Sequence, residues 1–201
     1  MGKLADEIRV LVKGYKSLDL AKQDTEKWFR KALSSASDKS VNRTSEAFKP
    51  GKIYVFRYED TITENEWWDL HPVVLSLGRK DGKDIGINLN LIPHANKQQL
   101  LDKIYTFYKT KIDDKIEKAH GNSISESFIA SFNYDAMKPF LEKTGFAAAV
   151  RTYATGNRKN SAVISYSEWR KVALLDLAQI KGASINVAYK KYRKYIKNKN
   201  T

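Results

Sequence analysis

The chain has 201 residues, of which 42% are hydrophobic, with 4 Trp, 11 Tyr and 8 Phe. That is enough apolar material for a real core and excludes a disordered chain. It has no cysteine, so disulfides, thiolate metal sites and a cysteine nucleophile are excluded, and a reducing compartment fits. The net charge is +13, which points to a polyanionic partner, nucleic acid first and an anionic membrane surface second. The charge is unevenly placed: +4 over 1–50, −1 over 51–100, 0 over 101–150 and +10 over 151–201.

The N-terminus is charged throughout, and no stretch approaches the ~18 apolar residues of a membrane span, so neither a signal peptide nor a span is expected. Gly2 is not followed by Ser or Thr at position 6, which is Asp6, so myristoylation is not expected. Leu4, Ile8, Leu11 and Val12 recur at three- and four-residue steps and predict a first helix, stopped at Gly14. A second helix is predicted from about Ser17 to Leu33, anchored by Trp28 and Phe29. The polar run Ser34 to Ser40 predicts a linker open to proteolysis.

From Pro50-Gly51 the period changes. Ile53 to Tyr58 predicts an aromatic strand, Pro72 to Leu77 a second ended by Gly78, and Ile85 to Leu91 a third. Asp81-Gly82 predicts a hairpin turn between the last two. Ala162 to Ser165 predicts a late strand that returns to the sheet. Helices are predicted from His94 to about Tyr108, from Ser125 to Leu141 with an interruption at Pro139, and from Phe146 to Tyr153. Two more follow: one from Ser167, as N-cap, to about Ala178, and a last one from Ser184 to about Lys197. The fold class expected is α+β: a small antiparallel SH3-like sheet or barrel at about 50–93 plus a strand near 162–166, surrounded by helices. The expected organisation is an N-terminal helical arm over 1–35, a core domain over 48–180, and a basic helix and tail over 183–201.

No catalytic constellation is present. His71, His94 and His120 match no zinc spacing, there is no Gly-rich phosphate loop and no nucleophile elbow, and Asp113, Asp114 and Glu117 alternate with lysines as a salt-bridged face does. The chain is therefore expected to be no enzyme and to need no cofactor, metal or small-molecule substrate. The sharpest signal is C-terminal. Lys190, Lys191, Arg193, Lys194 and Lys197 cover a helix whose Ile185, Tyr189, Tyr192 and Ile196 form a stripe. Each cation suits one phosphate, and the tyrosines either stack on bases or pack on the protein body. A second basic group is expected in loops, with Arg151, Arg158 and Lys159 around residues 155–160 and Arg79, Lys80 and Lys83 in the hairpin turn. Ordinary solvated loop cations are the alternative. Trp67 and Trp68 lie among Glu64, Glu66 and Asp69, a surrounding that repels phosphate, and suit core packing or a protein contact.

Four pieces carry a resemblance: Pro50-Gly51-Lys52-Ile53-Tyr54-Val55-Phe56-Arg57-Tyr58, then Trp67-Trp68-Asp69-Leu70-His71-Pro72-Val73-Val74, then Gly86-Ile87-Asn88-Leu89-Asn90-Leu91-Ile92-Pro93, then Leu100-Leu101-Asp102. Together they resemble the DNA end-protector proteins carried in the virions of large tailed bacteriophages. Val163 to Trp169 is similar to that family's strand-then-Trp-helix element. The chain departs from the usual pattern with Trp67-Trp68 in place of Tyr-Tyr, His71 in place of an aromatic, and Asn90 in place of His. The resemblance implies a virion protein, present in the host cytoplasm before assembly or after injection. It would cover the ends of linear double-stranded DNA and deny them to a host exonuclease without contacting membrane. The alternative is a structural virion protein of the neck, tail or baseplate, using Trp67 and Trp68 against portal, neck or tail proteins.

Overall fold

The computed structural model describes residues 3–15, 17–38, 47–59, 68–92, 96–104, 132–165, 168–175 and 180–181. Helices α1 (Lys3–Gly14) and α2 (Leu18–Asp38) come first. Next come strands β1 (Ile53–Tyr58), β2 (Trp68–Asp69), β3 (Val73–Lys80) and β4 (Lys83–Asn88), then a helix α3 over 96–104. Helix α4 (Tyr134–Thr144), strands β5 (Val150–Tyr153) and β6 (Arg158–Ile164), helix α5 (Trp169–Leu174) and strand β7 (Ile180–Lys181) complete the order.

The main sheet is antiparallel, in the order β5-β4-β3-β1-β6, and β2 pairs separately with β7. One row of partners, Ile164, Ile53, Leu75, Ile87 and Val150, crosses all five strands on one face. Residue alternation sends Tyr54, Val74, Ser76 and Gly86 to the other face. The first face joins the large core, where Leu4 and Ile8 of α1, Ala21 and Phe29 of α2, Leu100 and Leu101 of α3, and Trp169 and Val172 of α5 pack with the sheet. Asp102 binds α1 to α3: the Leu4 N–H donates to its Oδ1 at 2.9 Å, satisfying a donor at the helix N-terminus. The opposite face carries an aromatic cluster of Phe48, Tyr54, Phe56, Tyr58 and Tyr153 around Val74.

Strands β5 and β6 lie at opposite edges of the sheet yet are joined by residues 154–157 alone, a 3-10 turn at Thr155–Asn157. In a flat sheet β4 and β6 would stand about 14 Å apart. Instead Arg158 on β6 forms an ion pair with Asp84 on β4 at 2.9 Å. The sheet is therefore strongly curled, with the aromatic cluster inside the curl. No ladder joins β5 to β6 among the described residues, so the sheet stays open. The α+β class is as expected; among the described residues the sheet does not close into a barrel.

Several boundaries differ from the expectations. Helix α2 continues through Ser34 to Asp38, where a linker was expected; Ser34 Oγ donates to the Arg30 carbonyl, satisfying the hydroxyl within the helix. Strand β3 runs through Gly78, whose φ of 93° accompanies a bulge between Ser76 and Arg79. The third strand stops at Asn88, which caps a 3-10 turn at Leu89–Leu91 through its side chain. Helix α4 passes through Pro139 rather than breaking; Asn133 caps it, and Gly145 ends it at φ 78°. The expected helix over Phe146 to Tyr153 is a 3-10 turn followed by β5, because pairing with β4 overrides the helical preference of Ala147-Ala148-Ala149. Strand β6 begins at Arg158, earlier than expected, and takes up an extra residue against β1, with Asn160 left-handed at φ 54°. The C-terminal helix expected over 184–197, the mixed run over 111–125 and the Ser167 cap lie outside the described residues.

The resemblance motifs meet in a buried polar network. Asn88 Nδ2 and Asn90 Nδ2 donate to Asp69 Oδ2 at 3.1 and 2.8 Å, and the His71 N–H donates to Asp69 Oδ1 at 3.1 Å. Asn90 Nδ2 also donates to the His71 carbonyl at 3.1 Å. Burial pushes the Asp69 carboxyl above the usual carboxylate range, against the opposing effect of those donors. Burial first, and the charge of Asp69 second, push the neighbouring Tyr153 phenol well up. A raised folded value means that the native state holds the Asp69 proton more tightly than the unfolded chain does. The contribution of this group is therefore full below the ordinary carboxylate value and is lost as pH rises through the raised one. Urea midpoints of the wild type, relative to Asp69→Asn, are expected to fall across that window; a relative rise would contradict the assignment.

Candidate nucleic-acid interface

The hairpin turn is as expected, with Asp81 at φ 50° and Gly82 at φ 73°. These are the paired left-handed residues that match strand twist in a two-residue hairpin. The turn holds Arg79, Lys80 and Lys83 exposed at the tip. Arg79 has neutral partners: Nε and Nη2 donate to the Gly82 carbonyl at 3.1 and 2.8 Å, and Nη2 reaches Thr155 Oγ1 at 3.5 Å. Lys80 lies 3.7 Å from Asp135 and above the Tyr134 ring.

The curl brings a second corner of the sheet to the same 3-10 turn. Two residues after Thr155, the Asn157 carbonyl accepts from the Glu59 N–H at 3.0 Å. Glu59 in turn pairs with Lys159 at 2.6 Å and Arg57 at 2.9 Å. The hydrogen bond from Lys159 holds the Glu59 carboxyl below its ordinary range. Arg79 reaches the turn at Thr155, Arg57 and Lys159 meet at Glu59 beside Asn157, and Lys80 and Lys83 are exposed on the adjoining hairpin, Lys80 toward Asp135. A surplus of exposed cations on adjoining turns is suited to a phosphate backbone.

Two of the expected loop cations are placed differently. Arg158 is 1% exposed, not a loop residue at the surface. Its guanidinium pairs with Asp84, whose side chain is also fully buried, and lies 3.9 Å from the centroid of the Phe48 ring. Burial lowers its pKa, and Asp84 opposes that shift. Its neighbour Lys159 is exposed. Arg151 is half-buried on β5, where Nη1 donates to the carbonyls of Ala148 and Val150 at 3.0 and 2.7 Å. It braces the strand's entry and does not join the cations at the turn.

The five C-terminal cations Lys190, Lys191, Arg193, Lys194 and Lys197 lie outside the described residues, as does Trp67. The backbone of Trp68 pairs with Lys181. Sequence reasoning missed two features. One is Lys97, buried on α3, whose Nζ donates to the Leu175 carbonyl at the end of α5. The other is a pair of lysines, Lys49 and Lys52, beside the outer strand β6, in a groove they share with Ser161 and Val163. The Pro50-Gly51 turn between them was the available signal.

Among the described residues no group of three or more His, Cys, Asp or Glu is placed to hold a metal, and no helix is long and apolar enough to cross a membrane. No curated protein and no solved structure matches the chain. The family model described as phage T4 terminal DNA protecting protein matches residues 3–195, which takes in the N-terminal helices and the whole curled sheet. The chain belongs to the family of the phage T4 terminal DNA protecting protein.

Proposed function

We propose that this protein binds the ends of linear double-stranded DNA and shields them from exonuclease, by phosphate contacts that do not depend on sequence. Family membership carries the reading. The cations around the 3-10 turn support it, as does the charge of +10 over residues 151–201. Occlusion needs no catalytic residue: a protein seated on the terminus denies a nuclease its starting point. On this reading the protein acts in the virion and in the host cytoplasm, with DNA ends as its partner. Lys190, Lys191, Arg193, Lys194 and Lys197 extend the contact beyond the turn.

Each phosphate contact contributes about 0.9 to the slope of log affinity against log salt. Arg79→Ala with Lys83→Ala is expected to lower that slope by about 2, equally for all sequences. Replacing the five C-terminal cations by glutamine in the full chain is expected to lower it by about 4.5. An unchanged slope removes the altered residues from the interface. Digestion of a blunt linear duplex by a double-strand exonuclease tests the shielding itself. Protection that saturates at a few proteins per end is expected, and digestion at the unprotected rate would refute it.

A further inference from the structure

Beside β6 the segment 47–52 leaves a groove of about 130 Å³, lined by Phe48, Lys49, Lys52, Tyr54, Ser161 and Val163. Its chemistry differs from that of the surface around the 3-10 turn. There, Lys80, Lys159 and Arg57 are paired with carboxylates. Here, among the described residues, no carboxylate lines the groove and neither the Lys49 nor the Lys52 ammonium has an ion pair. The Ser161 hydroxyl oxygen is buried with no hydrogen-bond partner among them. A buried polar atom without a partner calls for a ligand or water to satisfy it.

The walls are held in place. Phe48 stacks on Tyr54 at 3.9 Å and 9°, meets the Phe56 ring at 5.2 Å, and lies under the Arg158 guanidinium. The Phe48 N–H donates to Asp84 Oδ1 at 2.9 Å, and the Lys49 N–H donates to the Tyr54 hydroxyl at 2.9 Å. The lysine stems therefore leave from fixed backbone. Val163 on β6, the ladder partner of Tyr54 on β1, is 53% exposed and offers an apolar lip.

Two cations beside an unsatisfied hydroxyl, with no acid among the described residues that line the groove, suit a compact group with several anionic oxygens. A groove of about 130 Å³ holds several waters and admits a phosphate group. A phosphodiester inside a strand carries one charge and a sugar on either side. A terminal phosphate monoester carries about −1.5 to −2 and three oxygens free of the chain. Pro50 lies against Gly78, at the base of the hairpin that carries Arg79, so the groove adjoins the proposed backbone-binding surface. We propose that this groove receives the terminal phosphate monoester of a DNA strand, and that it distinguishes an end from the interior of a duplex. The proposal rests on the end-binding reading and gives it a mechanism.

The test uses the full-length protein and one blunt duplex in three forms: 5′-phosphorylated, 3′-phosphorylated and hydroxyl at every end. Tighter binding of one phosphorylated form over the hydroxyl form, by about tenfold, is expected from a charge-assisted contact, and the arm that gains identifies the strand terminus. Inorganic phosphate is expected to compete in that arm alone. Lys49→Ala with Lys52→Ala is expected to bind all three forms at the hydroxyl level. Ser161→Ala, which leaves charge unchanged, is expected to reduce the discrimination as well. Circular dichroism confirms that both variants fold. Equal binding of all three forms by the wild type, or full discrimination in either variant, overturns the groove as the site. If linear DNA is still preferred over closed circles in that case, end binding stands and only the phosphate pocket falls.

Discussion

Asp84→Ala is expected to lower the unfolding free energy by about 3–5 kcal/mol, the cost of leaving a buried ion-pair partner uncompensated. Arg158 and Asp84 have no exposed side-chain surface, so water cannot replace the lost carboxylate without opening the curl. Asp84 Oδ1 also accepts from the Phe48 N–H, so the same substitution strands a buried backbone donor. Both effects fall on the contacts that hold segment 47–52 and β6 against β4. Asp84→Ala combined with Arg158→Met is expected to recover a large part of the loss, because it replaces the stranded charge by an apolar chain. Urea unfolding of the single and double variants measures this. A loss under about 1 kcal/mol for Asp84→Ala would mean that the pair behaves as an exposed one.

Gly86→Ala is expected to cost about 3 kcal/mol. A Cβ at this position would stand 2.3 Å from Val74 Cγ1 and 2.7 Å from the Leu75 carbonyl oxygen. The valine has little room to turn, since it sits inside the aromatic cluster and is itself fully buried. The carbonyl belongs to the β3–β4 ladder and moves only if the strands part. Gly82→Ala provides the contrast: nothing lies within 4 Å of its Cβ, and its cost comes from φ 73° alone, about 1 kcal/mol. Thermal unfolding of the two variants separates a steric clash from backbone preference; equal losses would contradict the packing argument.

Local signals made the sheet legible. The alternation in Ile53 to Tyr58 and the Asp81-Gly82 turn are decided within a few residues, and the structure has them where the pattern puts them. The burial of Arg158 was not legible, because a cation after Thr155-Gly156-Asn157 has the local chemistry of a loop. Its environment depends on Asp84 and Phe48, 74 and 110 residues away in sequence, which meet it only once the sheet curls. Lys97 was hidden for the same reason: its partner is the open carbonyl end of α5, which the sequence does not connect to it. Of the proposed interface, Arg79, Lys80, Lys83 and Lys159 were identified as surface cations from turn chemistry, and the structure adds Arg57 beside Lys159. The motifs that carried the family resemblance serve a structural purpose here, since Asp69, Asn88 and Asn90 bind one another inside the fold rather than facing a ligand.

End binding is tested most directly by competition between one DNA species in linear form and the same species covalently closed into a circle, at equal nucleotide concentration and near-physiological salt. The account predicts that the linear form competes far more strongly, and that cutting each circle once restores its ability to compete. Equal competition by the intact circle would contradict it and leave a protein that binds duplex DNA anywhere along its length.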